Sequence, residues 1–262
     1  MQFATLLLEK KEHMAILTLD QPRIINALTP QMAVEFAEAA AMVQKDPDIR
    51  VLIVTGQGKS FCSGGDLRDT FEMFNRPSAQ AQPTVINFYK SFLSLSSLEI
   101  PTVAVIKGHT IGAGLCLAMA CDMRIASSDT RMSMSFIKIG IHPGMGGTYT
   151  LPRLVGTAKA LELCLLGEPI SADEALRIGL LNHVVPPEKL QDFSLDFARR
   201  IANNPPIAAR LIKRSIYRNL DADLDSALAL ESFSQILCAS TADMKEGVAA
   251  AREKRPPIFK GC

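Results

Sequence analysis

The sequence predicts a mixed α/β fold, and three observations carry that reading. The chain opens on two strand-like segments joined by a polar turn. Short, nearly unbroken apolar runs recur at residues 51–55 and 103–107, the signature of strands buried on both faces. Helical stretches rich in alanine separate them, and strands alternating with helices point to α/β rather than all-β architecture.

The elements follow in order. Residues 5–9 and 14–19 read as a hairpin with 10–13 as its turn. Thr29-Pro30 opens a helix, with threonine at the cap and proline in the first turn, where its missing N–H costs nothing. That helix runs to about residue 43 and stops before Pro47. A helical stretch at 84–97 leads to Pro101, a buried strand at 103–107, a glycine-punctuated turn, and a helix at 115–121; strands are expected at 124–126 and 132–136. Beyond Gly156 the segments 158–166, 171–178, 187–203, 207–219, 224–238 and 242–252 all read as helices. Ser171 and Glu174 have capping-box spacing. The expected division is a β-rich core over 1–195 and a helical region over 196–262, with no disordered linker.

Composition narrows the function classes. At 262 residues the chain suits one large domain or a core with an appendage, and 48 % hydrophobic against 21 % charged residues allow a sizeable core. Twenty-eight basic against 27 acidic residues give a net charge of +1, without the electrostatic footprint of a nucleic-acid binder. Six cysteines, none in a CxxC pair, suggest reduced thiols in a cytoplasmic setting and no metal site. The first residues carry no basic n-region or small-residue cleavage site. The longest apolar stretch, 111–120, is far short of the ~20 residues that span a bilayer. A soluble protein is expected.

Two glycine-containing turns stand out, 58–67 and 108–114, each following a buried strand. Small residues there let backbone N–H groups approach a ligand, and a helix start adds partial positive charge. Together they either aim two donors at one oxygen, as an oxyanion hole does, or serve only as tight strand-to-helix turns. Neither turn fits the phosphate-loop pattern.

Phe61-Cys62-Ser63-Gly64-Gly65-Asp66-Leu67 resembles the F-x-A-G-x-D-[LI] segment of the crotonase (enoyl-CoA hydratase/isomerase) superfamily. Ile25-Asn26-Ala27-Leu28 is similar to its N-A-L entry, and residues 101–114 to its P-x-[VI]-A-x-[VI]-x-G-x-x-x-G-[GA]-G block. Cys121-Asp122, the 140–148 segment, 167–172, 175–181, Glu246-Gly247 and Glu253-Lys254-Arg255 follow in family order. The resemblance implies a crotonase-like spiral of ββα units with a helical C-terminal trimerisation region, a homotrimer or dimer of trimers, and an acyl-CoA thioester substrate with coenzyme A as part of it. No separate cofactor is implied. By position, the N–H groups of Gly65 and Ala113 would hold the thioester oxygen. Ile25, Ser63, Asp66 and Leu67 would contact the substrate, Arg23 would lie near the coenzyme A phosphates or be a solvated loop charge, and Phe259 and Lys260 would reach a neighbouring subunit's coenzyme A or simply fray.

The departures bear on the reaction. The two hydratase glutamates fall at Cys116 and Phe136, and the aspartate of the dienoyl isomerases at Gly144. Phenylalanine cannot move a proton, and lost acid–base help is worth ~10²–10⁴-fold. Cys116, in the first turns of a helix, is either a thiolate favoured by the dipole or a core residue. His142 and His109 are either proton donors or structural. Phe71, Met73, Phe74, Met132 and Met134 line an acyl pocket or pack the core, and Asp69 is set as a surface charge. The expectation is therefore a lyase or isomerase working by enolate stabilisation, with decarboxylation suited to the missing glutamates. The alternative is an acyl-CoA-binding protein with negligible turnover.

Overall fold

The hairpin forms as read. In the computed structural model, which describes residues 1–262, β1 (Leu6–Lys11) and β2 (Met14–Leu19) pair antiparallel, Leu6 opposite Leu19. Next comes α1 (Pro30–Lys45), where Thr29 Oγ1 accepts the Met32 N–H at 3.2 Å. Its Met32, Phe36, Ala39 and Val43 recur at helical spacing and are buried. The chain continues through β3 (Val51–Gly56), α2 (Leu67–Phe74), α3 (Ser78–Leu93), β4 (Thr102–Ile106), β5 (His109–Ile111) and α4 (Ala113–Ala120). Then follow β6 (Met123–Ser127), β7 (Arg131–Ser133), α5 (Gly147–Val155), α6 (Thr157–Leu166), β8 (Ile170–Ser171), α7 (Ala172–Arg177) and β9 (His183–Val185). Four helices complete it: α8 (Leu190–Ala202), α9 (Pro206–Asn219), α10 (Leu224–Ala239) and α11 (Ala242–Glu253).

Two sheets result. The larger has strand order β1-β2-β3-β4-β6-β9, parallel throughout except for β1. The smaller has order β5-β7-β8. A strand in the large sheet, a short strand in the small one and then a helix make up β4-β5-α4, and β6-β7-α5 repeats the step. This is the ββα spiral that the resemblance implied.

Burial explains the unbroken apolar runs. One face of the large sheet meets α1, α3 and α4 in a core where the Phe92 ring lies 5.2 Å, centroid to centroid, from both Phe36 and Phe88. The other face, through Met14, Val51, Ile53, Val103 and Ile125, is covered by Leu190, Ala198 and Ala202 of α8. Residue 195 therefore falls inside α8, a helix that covers the sheet, and not at a boundary between elements. An ion pair fastens α9. Lys213 Nζ lies 2.8 Å from Asp122 Oδ2 and 2.9 Å from the Ile100 carbonyl, while Tyr217 Oη donates to Asp122 Oδ1 at 2.8 Å. Asp122 also accepts from the Thr102 N–H and hydroxyl at 2.7 and 2.9 Å.

The structure corrects the sequence reading in several places. The strand expected at 132–136 ends at Ser133, and residues 135–139 form a 3₁₀ turn, so Phe136 sits on a turn. The helix expected from residue 84 begins at Ser78 and runs through Pro83, because the burial of Phe88 and Phe92 outweighs one lost backbone bond. The helices α2 and α5 and the short strands β5, β8 and β9 have no counterpart in the sequence reading, and Ser171 ends β8 and caps α7. No helix is long and apolar enough to cross a membrane.

Candidate active site

The two glycine turns are laced together. Phe61 N–H donates to the Lys107 carbonyl at 2.8 Å, Cys62 N–H to His109 at 3.2 Å, and Ile111 N–H back to Cys62 at 3.0 Å. Gly64 has φ +102°, and a Cβ there would fall 2.9 Å from the Ile111 carbonyl oxygen and 3.6 Å from the Ala113 nitrogen. Glycine is what lets the two segments approach so closely. Gly112, at φ +52°, makes the turn into α4.

Asn26 braces the first turn from behind. Fully buried and left-handed (φ +53°), it donates through Nδ2 toward the Gln57, Ser60 and Phe61 carbonyls at 2.9, 3.0 and 3.1 Å. Its Oδ1 accepts the Gln21 N–H at 3.0 Å.

This bracing leaves two amides free. Leu28 N–H donates to the Gly64 carbonyl at 2.8 Å and Asp66 N–H to the Leu28 carbonyl at 3.1 Å, which fixes the peptides on either side of Gly65. The Gly65 N–H itself meets no acceptor in the protein. Ala113 is the first residue of α4, so no intrahelical carbonyl is within reach of its N–H. Its neighbours are engaged, Gly112 N–H with Ser133 at 2.8 Å and Cys116 N–H with Gly112 at 3.0 Å. Both free amides line one cleft of about 520 Å³, within the size range of small-molecule sites.

Of the residues anticipated from sequence, Ser63, Gly65, Asp66, Leu67, Met73, Phe74, Ala113 and Phe136 line this cleft. Asp66 also caps α2, accepting from the Arg68 and Asp69 N–H groups at 3.0 and 3.1 Å. Arg23 and Ile25 lie exposed beside the mouth rather than on its wall, tied in by Ser63 N–H donating to the Ile25 carbonyl at 2.9 Å. Arg68 and Lys138 are exposed side chains on the wall itself.

The remaining candidates lie off the cleft wall. Cys116 is buried away from the cleft, its Sγ directed to the Gly144 carbonyl at 3.4 Å, and burial pushes its thiol pKa strongly up, with Cys164 adding to the effect. That burial opposes the thiolate a helix dipole would favour. His142 is exposed, its Nδ1 lies 2.8 Å from the Pro143 carbonyl, and it is off the cleft wall; His109 is likewise exposed on β5. Met132 and Met134 are wholly buried core residues, and Phe71 projects into solvent. The C-terminal segment is tethered, not frayed. Lys260 and Gly261 N–H groups donate to Asp243 at 2.7 and 2.8 Å, and Arg50 donates to the Phe259 carbonyl at 3.1 Å.

Several wall residues, Arg68, Lys138 and Tyr89 among them, carry no signal in the sequence. Tyr89 projects from α3 into the cleft, and a Cβ on Gly144 would collide with its hydroxyl. No motif marks it. Only its place on a helix shared with Phe88 and Phe92 tied it to the interior.

Comparison with known proteins places this geometry. A family profile described as enoyl-CoA hydratase/isomerase matches residues 9–262. The chain is 38 % identical over 260 residues to the crotonyl-CoA hydratase of Syntrophomonas wolfei, with 99 % of each covered. It is 37 % identical over 246 residues to the 1,2-epoxyphenylacetyl-CoA isomerase of Escherichia coli K12, with 94 % of each covered. The crystal structure of an enoyl-CoA hydratase from Bacillus anthracis superposes with a TM-score of 0.93 at 33 % identity, covering 98 % of this chain and all of that one.

Proposed function

The chain belongs to the enoyl-CoA hydratase/isomerase family, and from that premise we propose that it is an acyl-CoA enzyme that stabilises a thioester enolate and carries out a reaction other than simple hydration. One observation carries the proposal. The Gly65 and Ala113 amides are both free on one cleft wall, while the positions that hold acid–base carboxylates in the family carry Cys116, Phe136 and Gly144.

The chemistry follows from that arrangement. The thioester oxygen accepts both N–H groups, and the α4 N-terminus adds partial positive charge as the oxygen turns anionic. Each such donor is worth ~2.7–4 kcal/mol of barrier because it is already oriented when charge develops. Arg68 and Lys138 on the wall, with Arg23 at the mouth, supply positive charge for the phosphates of coenzyme A. The apolar wall, including Met73, Phe74 and Phe136, takes the acyl group.

Generating the enolate is the remaining problem. Hydration needs one group to activate water and another to protonate carbon. The wall's one carboxylate, Asp66, is occupied in capping α2. Decarboxylation of a malonyl-type thioester avoids the need for a base: the C–C bond to the carboxylate breaks, its electron pair enters the enolate, and carbon dioxide leaves. The same wall favours a second reading, an acyl-CoA-binding protein with negligible turnover. Incubation with enoyl-, 3-hydroxyacyl- and malonyl-type CoA thioesters, with products followed by chromatography, separates the two. Release of carbon dioxide and the decarboxylated thioester supports the lyase, and binding of every thioester without turnover of any refutes it.

A homotrimer or dimer of trimers is part of the proposal. Ile212 and Ile216 of α9 and Phe233 and Ile236 of α10 are each more than half exposed, apolar surface of the kind that marks contacts between chains. Light scattering would report a mass of three or six chains.

A further inference from the structure

We infer that Tyr89 is the proton donor of this cleft, a phenol from α3 standing in space where the sequence has lost its carboxylates. The inference rests on the enolate chemistry proposed above and adds the residue that completes it.

Position comes first. Tyr89 lines the cleft with Gly65 and Ala113, and its hydroxyl occupies the space that any side chain at residue 144 would enter. Gly144 in turn accepts from Cys116 Sγ through its carbonyl at 3.4 Å. The phenol therefore stands beside two of the three positions where relatives of this family would place an acid or base. The third is closed by Phe136, whose ring lies 3.7 Å from where a Cβ on Gly112 would be, next to the free amide of Ala113.

Availability comes second. No hydrogen bond within the protein engages Tyr89 Oη, so its proton is free to face the cleft, although the residue is half-buried. Burial, reinforced by neighbouring Cys116, raises its pKa above the ordinary phenol value and keeps it protonated at neutral pH. The other titratable groups on the wall are less suited. Asp66 is held by two amides, and Arg68 and Lys138 are exposed cations.

The step balances. After carbon dioxide departs, the enolate's electron pair forms a C–H bond with the Tyr89 proton, the thioester carbonyl is restored, and the phenolate regains a proton from water. A donor fixed on one wall delivers that proton to one face of the enolate.

The test compares wild type, Tyr89→Phe and Gly144→Ala. Tyr89→Phe keeps the ring and removes the hydroxyl. Gly144→Ala keeps the phenol and pushes it aside. Each protein is given methylmalonyl-CoA in deuterium oxide, and 4-(dimethylamino)cinnamoyl-CoA as a chromophore that shifts to the red when its carbonyl is polarised. Wild type should shift the chromophore and give propionyl-CoA deuterated with one handedness. Both variants should keep the red shift and circular dichroism spectrum, lose about a hundredfold or more in kcat with little change in KM, and give product of mixed handedness. Turnover and handedness unchanged in Tyr89→Phe would overturn the role of Tyr89 and leave the enolate reading standing. A wild type without a red shift would overturn the enolate reading and Tyr89 with it, whereas a red shift without turnover would overturn the proton transfer alone.

Discussion

Removing the Asn26 side chain tests whether the first glycine turn is held from behind. Two Nδ2 protons serve three carbonyls, and Oδ1 takes the Gln21 N–H, so Asn26→Ala loses about three full hydrogen bonds at about 1 kcal/mol each. Asparagine tolerates the left-handed backbone better than alanine does, which adds about 1 kcal/mol. The total is about 4 kcal/mol, about 10 °C in Tm for a chain of this size. Thermal unfolding at one fixed protein concentration reads the stability term. Asn26→Asp sets a carboxylate oxygen against those three carbonyl oxygens in a fully buried site, so its Tm should fall below that of Asn26→Ala. Because the carbonyls released belong to residues 57–61, just ahead of Gly64 and Gly65, kcat should fall more than KM rises. An Asn26→Ala protein that melts within about 1 °C of wild type, against the expected ~10 °C, would show that the turn holds its own shape.

Three further outcomes are expected. Gly65→Pro, which deletes the N–H, should cut kcat by about 10²–10³-fold, whereas Gly65→Ala keeps the N–H and needs only the Thr70 hydroxyl to rotate away; equal activity in these two folded variants would contradict an oxyanion role. Asp122→Asn leaves the Lys213 ammonium, only 8 % exposed, without its counter-charge, and should lower stability by about 3–5 kcal/mol in urea unfolding; Asp122→Asn/Lys213→Met should recover part of that, and no recovery would argue against charge as the cause. Arg255 and the Ile258 N–H hold Glu246 at about 2, below its ordinary 4.5, so its stabilisation is complete above pH 4.5 and is lost as pH falls toward 2. The acid limb of a Tm-against-pH curve should therefore be shallower in Glu246→Gln, and coincident curves would refute the linkage.

What could be read in the sequence tracked what local chemistry decides. Thr29-Pro30 states where α1 begins, because cap and proline act within one turn, and the apolar runs declare strands with both faces covered. The glycine turns and their family spacing pointed to Gly65 and Ala113, since backbone positions travel with the motif. Other features depend on distant parts of the chain. Pro83 argues locally for a helix end, and only the packing of Phe88 and Phe92 carries α3 through it. Cys116 sits near a helix start, where a dipole favours thiolate, yet the core closing over it reverses the balance. Tyr89 is illegible in the sequence because its setting depends on a neighbour 55 positions away, Gly144, whose missing side chain leaves it room.

The enclosure of Cys116 limits how this scaffold can be redesigned. Its sulfur lies 3.1 Å from where a Cβ on Gly147 would be, and Met134 Cε lies 2.8 Å from that same point, so the space behind α4 is already full. Glutamate written back at 116 would thrust a carboxylate into hydrocarbon. An engineer wanting water-adding activity would have to hollow out the surroundings and clear the tyrosine in the same step, since no single replacement provides both the acid and the room for it.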